Sequence, residues 1–169
     1  MDFSVGRIVL RADDAALIRL GKIDARILVS GADTAGAFGL VESGIQPRVL
    51  AGPMHTHVNE QGFWYVLEGE FGAQVGDQEV HAGQGALVLA PRGVPHTYWN
   101  PGDTPARYLE IFSPAGLELM FERLGAILIG DEKASAPEAF NLLESFGLAM
   151  DFDSVATLSE RHGVSLTGD

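Results

Sequence analysis

Two stretches punctuated by glycine and proline constrain this chain more than anything else in it: HTHVNEQGFWYVLEG at 55–69 and GALVLAPRGVPHTYWN at 85–100. Each joins a short β-branched and aromatic run to turn residues, the pattern of strands linked by tight connections. Together they hold three of the five histidines and both tryptophans. They are expected to frame a hairpin and to build a small-molecule site inside a β-barrel.

His55 and His57 are two residues apart, so on a strand both imidazoles leave the same face. The second stretch turns at Pro91-Arg92-Gly93 and enters a strand on which His96, Tyr98 and Asn100 alternate. If the two layers face each other, His96 meets the first pair. Three converging imidazoles suit Fe, Ni, Cu or Zn, with Co and Mn also accommodated. With no cysteine in the chain, any metal must be held by nitrogen and oxygen. His81 and His162 lack a comparable setting and read as ordinary surface histidines.

The remainder reads as scaffold. Strands are expected at 6–11, 16–20, 24–30, 36–42, 48–51, 63–67, 71–75, 79–81, 86–89, 96–99 and 107–112, a spacing typical of a sandwich or barrel. The character changes at Ser113-Pro114, which would cap and open a helix carrying Leu117, Phe121 and Leu124 and stopped by Gly125. Ser135-Ala136-Pro137-Glu138 reads as the start of a second helix with Ala139, Leu142, Leu143 and Phe146 on its apolar side. A third is expected from near Asp153 to His162, with Gly163 as its stop. These helices should pack outside the barrel.

A net charge of −12 repels the phosphates of nucleic acids and anionic membranes, so neither is expected as a partner. No apolar run approaches the ~20 residues of a membrane helix. The opening MDFSVGRIVLRADD lacks the basic and apolar regions of a leader, so a cytoplasmic location is expected.

The two stretches resemble the paired motifs of the cupin superfamily, written G(X)5HXH(X)3,4E(X)6G and G(X)5PXG(X)2H(X)3N. Gly85, Pro91, Gly93, His96 and Asn100 match every fixed position of the second motif; His55, His57 and Gly69 match the first. The first motif departs in two places. Val49 stands where its opening glycine falls, and Gly62 stands where the metal-binding glutamate is expected. Phe112-Ser113-Pro114-Ala115-Gly116, the helix through Phe121 and the tail LSERHGVSL add a likeness to quercetin-dioxygenase-like monocupins of the small-barrel type.

The resemblance implies a mostly β, double-stranded β-helix or jelly-roll fold with short C-terminal helices packed outside. It implies one domain over 1–169, with the barrel core at about 36–113, N-terminal strands at 1–35 and a helical extension at 114–169. It implies a divalent transition metal on His55, His57 and His96, and a homodimer whose barrels cover each other's edges. Gly62 leaves three readings, taken in this order: a three-histidine centre like those of cupin dioxygenases for thiols and diketones; no tightly held metal; or Glu60 or Gln61 swinging in as a fourth ligand. Trp64 and Val66 alternate with position 62, and Trp64, Tyr98 and Glu110 are pocket candidates, whereas Val66 reads as core. The leading function is a dioxygenase-like oxidoreductase on a small aromatic or enol-type substrate. The alternatives are a small-molecule-binding or sensing protein without turnover and, last, a metal-free isomerase or epimerase using His96 with Glu110 or Tyr98.

Overall fold

The computed structural model describes residues 11–128 and 132–166, with side chains in the second segment from residue 137 onward. The strand expected over 6–11 lies almost wholly outside the described residues. In chain order the strands are β1 (Ile18–Leu20), β2 (Ile23–Val29), β3 (Gly39–Ile45), β4 (Val49–Leu50), β5 (Met54–His57), β6 (Gln61–Glu68), β7 (Glu70–Val75), β8 (Gln78–Gly83), β9 (Leu87–Ala90), β10 (His96–Trp99), β11 (Ala106–Ser113), β12 (Leu148–Asp151) and β13 (Ser165–Leu166). The helices are α1 (Glu118–Leu128), α2 (Glu132–Ser145) and α3 (Ser154–His162).

Two sheets face each other as a jelly roll. One runs β1-β2-β3-β11-β6-β9; the other runs β12-β5-β10-β4-β13, with β7 pairing β10 and β8 pairing β7. Alternation of side chains decides what each strand buries. On β3, Val41, Ser43 and Ile45 point inward; on β11, Ala106, Tyr108, Glu110 and Phe112 do the same. Trp64, Val66, Phe71, Tyr98 and Tyr108 fill the interior, with Phe71 and Tyr98 stacked at 5.4 Å. An interior of this kind stabilises chiefly by removing apolar surface from water, about 1.5–3 kcal/mol for each large side chain.

The two motif stretches are tied to each other by backbone. The Gly93 N–H at the turn of the second donates to the His57 carbonyl of the first, at 3.0 Å. Gly69, which ends the first, takes φ +80°, and a Cβ there would lie 2.8 Å from the Ala106 Cα, so no other residue fits without strain. Asn100 ends the second stretch by donating to the carbonyls of Ile45 and Thr104 and accepting from the Gly102 N–H.

The C-terminal part differs from its expected form. Ser113 ends β11 and donates to the Ala37 carbonyl instead of capping a helix, and α1 begins only at Glu118. Gly125 does not stop α1; it lies buried inside it because a Cβ there would meet Ile18 at 2.6 Å. The second helix starts at Glu132, ahead of Ser135, and carries Pro137 within it. The third matches closely: α3 ends at His162, and Gly163 takes φ 62°. Both β12 and β13 escape a pattern reading, being four and two residues long.

Candidate metal centre

β5 and β10 bring the three histidines together by register. His96 stands directly opposite His55 in the β10–β5 ladder, and His57 follows two residues on along the same face. The ring centroids lie 5.2 Å (His55–His57), 4.6 Å (His55–His96) and 4.6 Å (His57–His96) apart. One nitrogen of each lies within 4.8 Å of the others, the span that a single ion bridges.

Hydrogen bonds orient two of these rings. The Nδ1 of His55 faces the Pro53 carbonyl at 2.9 Å, and the Nδ1 of His96 faces the Val94 carbonyl at 2.8 Å. A carbonyl only accepts, so Nδ1 carries the proton in both, and Nε2 keeps its lone pair. The Nε2 of His96 is buried without any hydrogen-bond partner. A buried polar nitrogen left alone costs about 1–3 kcal/mol, and an ion bound there would satisfy it. Protonation is disfavoured at all three. Burial and the neighbouring His96 push His55 down to about 4. Burial, with the other two histidines, pushes His57 down to about 2, and burial lowers His96. At neutral pH the cluster is therefore three neutral imidazoles, the form that coordinates metal. The donor set fits a divalent transition ion.

Position 62 faces the same interior. Gly62 is buried, paired with Phe112 on one side and Ala90 on the other, and a Cβ there would meet only the Ala90 Cβ at 3.8 Å. The place of the family's carboxylate is thus present and lacks a side chain. Gln61 is exposed on the opposite face of β6. Glu60 is 4 % exposed and its Oε1 lies 3.8 Å from the Nδ1 of His57, but it is not part of the group of mutually close donor atoms.

An apolar cavity of about 210 Å³ opens in front of His55 and His57. His55, His57, Trp64, Tyr98 and Glu110 form its polar end. Leu117 just ahead of α1, Met120, Phe121 and Leu124 of α1, Leu143 of α2 and Leu148 and Met150 of β12 supply much of the rest. All three pocket candidates therefore line it, and Val66 is core as expected. Trp64 lies 5.6 Å from the His96 ring and 5.0 Å from Tyr98. Glu110 accepts from the Ser43 hydroxyl at 2.6 Å and from the Trp64 indole N–H at 3.2 Å. Burial raises its carboxyl to about 7, and the Tyr98 and Tyr108 phenols beside it are pushed well above their ordinary value.

The roof over this cavity was not readable as part of a site. The spacing of Leu117, Phe121 and Leu124 marks an apolar helix face but not what it covers. His81 is exposed, as expected of a surface histidine, but His162 is not: its side chain is 6 % exposed and stacks on Trp99 at 3.9 Å.

Residues 41–112 match the family model for the cupin domain. No protein of curated function matches the sequence. Among solved structures, a predicted oxalate decarboxylase from Thermotoga maritima is 21% identical with a TM-score of 0.59, covering 63% of this chain and 99% of its own. KdgF from Halomonas sp. is 16% identical at 0.58, covering 65% and 97%. A Streptomyces PAC13 variant with uridine is 14% identical at 0.54, covering 68% and 88%. At these identities the likeness is one of fold. About a third of this chain lies outside each superposition.

Proposed function

Residues 41–112 belong to the cupin superfamily, and on that premise we propose that the protein is a dioxygenase-like oxidoreductase using a three-histidine divalent-metal centre on a small aromatic or enol-type substrate. One observation carries the reading: three neutral imidazoles have mutually close nitrogens, two of them, His55 and His57, line an apolar cavity, and the third, His96, is buried with a partnerless Nε2. When bound, a transition ion supplies Lewis acidity and a redox couple.

The chain's own residues do the rest. His55, His57 and His96 would hold the ion, and Gly62 leaves the space that a fourth side chain would take, so a ligand can approach from that side. Trp64 and Tyr98 offer flat aromatic walls to a planar ring. Met120, Phe121 and Leu124 of α1 exclude water, which strengthens every polar interaction at the site.

A second reading is favoured by the same Gly62: a protein that binds a small molecule without turning it over. Elemental analysis of the purified protein, reconstitution with Fe, Ni, Cu, Co, Mn or Zn, and oxygen uptake with single-ring catechols and enols separate the two. Metal retention with substrate-dependent uptake is expected. Retention of an unchanged small molecule without uptake would favour the second reading, and failure to hold any of these metals would remove the first. A cytoplasmic homodimer accompanies the proposal, and light scattering on the eluting protein checks the dimer.

A further inference from the structure

Glu110 is the sole carboxylate among the described residues lining the cavity, and coordination of a metal gives it no task. It sits mid-strand on β11, with Val41 of β3 and Trp64 of β6 as register partners, and is 3 % exposed. Ser43 donates to its Oε1 and Trp64 to its Oε2, and the Tyr98 phenol is a further hydrogen-bonding neighbour. A structural role needs no charge here. A glutamine could accept from the indole and donate to the hydroxyl, since a serine oxygen also accepts. Burial disfavours the ionised form of a carboxyl in such a place, and ionisable groups kept there despite it mark sites of proton transfer.

The cavity defines what could meet it. A space of about 210 Å³ exceeds the roughly 150 Å³ that accommodates benzene in an apolar protein interior. It takes one six-membered ring with a small substituent. The polar end, where Glu110 and the histidines lie, takes the substituent.

We propose that Glu110 is a catalytic residue that accepts the hydroxyl proton of a single-ring phenolic or enolic ligand as its oxygen settles at the histidine centre. The ligand O–H bond breaks, its electron pair stays on the ligand oxygen, and a new O–H bond forms on the Glu110 carboxylate. No oxidant or reductant enters this step. The inference rests on the cavity being the substrate site and on the histidines holding a metal.

Other groups are poorly placed for the proton. The three histidines are weaker bases than free imidazole, and Nδ1 of His55 and of His96 is already a donor. The titratable groups that face Glu110 are the phenols of Tyr98 on β10 and Tyr108 on its own strand, both kept protonated by burial. β3 and β6 present Ser43 and Trp64, which do not titrate. With its own value raised to about 7, Glu110 is matched to a proton exchanged near neutrality.

Phenol binding to the zinc-loaded protein tests this, because zinc is redox-silent and phenol is neutral at about pH 8, below its value near that of tyrosine, ~10. Calorimetry in two buffers of different ionisation enthalpy counts protons released, and difference absorption reports phenolate. Wild type is expected to bind phenol as phenolate with close to zero protons released. Glu110→Gln is expected either to release about one proton per phenol or to bind without the phenolate signal. Ser43→Ala keeps the carboxylate with one donor fewer, so proton capture should persist to a higher pH than in wild type. An unchanged proton count and spectrum in Glu110→Gln would overturn the role of Glu110 alone, as would loss of capture in a folded Ser43→Ala. A wild type that holds zinc but not phenol would overturn the cavity reading with it; one that holds no zinc would overturn the metal reading and the proposal together.

Discussion

The Nδ1 of His57 and the Oε1 of Glu60 face each other across 3.8 Å, both buried and both without a hydrogen-bond partner. A small rotation of either side chain would let Nδ1–H donate to the carboxylate. Carboxylates in that position orient a metal-binding histidine and raise its basicity. Glu60→Gln should therefore weaken metal affinity by roughly 10–100-fold while the melting temperature of the metal-free protein changes little. Competition titration against a chromophoric chelator measures it, and an unchanged affinity would show that Glu60 does not orient His57.

Gly62→Glu restores the carboxylate of the family motif at a position where the added Cβ meets only Ala90 at ordinary van der Waals distance. The expected result is tighter metal binding together with lower oxygen uptake, since the new side chain fills the approach left open by glycine. Activity that rises along with affinity would mean that the three-histidine centre is a decayed site and not the working one.

The buried titrating groups predict opposing pH limbs in the metal-free protein. Glu110 has a folded value near 7 against an ordinary 4.5, so the folded state keeps a proton that the unfolded chain has lost. Its contribution is complete below about 4.5 and is lost as pH rises through about 7, on the order of 3 kcal/mol in all. Glu110→Gln lacks that loss, so its stability relative to wild type should grow across this window. His55 and His57 act in the other direction: neutral when folded, they stabilise above 6.5, and that is lost as pH falls towards about 4 and about 2. Denaturant unfolding at stepped pH reads both limbs.

Leu148 ties the C-terminal extension to the site. It pairs with His57 in the β12–β5 ladder, is 5 % exposed and contributes to the cavity wall. Leu148→Ala should cost about 2–5 kcal/mol in unfolding free energy and loosen the fit of single-ring ligands. A loss under about 0.5 kcal/mol, the range of surface substitutions, would show that β12 is not packed as described.

The barrel and its histidine cluster were legible because their signals are local. An HxH pair on a strand shares a face by geometry, and the turn at Pro91-Arg92-Gly93 fixes where β10 begins. The meeting of His55 with His96 is a matter of register between strands some forty residues apart, so strand geometry alone made it conditional on the two layers facing each other. Glu60 stood third among the readings of Gly62, because distance along the chain cannot tell whether its carboxylate reaches the cluster or stops beside His57. Ser113-Pro114 looked like a helix start on local chemistry, yet pairing of β11 with β3 and β6 holds that segment extended. The pocket roof was invisible for a similar reason: an amphipathic helix declares an apolar face but not its partner.

The brevity of the outermost strands has a consequence for how molecules of this protein can meet. β1, β9, β12 and β13 end their sheets with three, four, four and two residues. Short borders of this kind offer a neighbouring chain few unpaired amides and discourage strand-to-strand polymerisation. β8 has six residues and pairs only with β7. Among the described residues, it is the border along which a second polypeptide could extend the sheet by more than four residues, with Glu79 and His81 exposed on it to select what approaches.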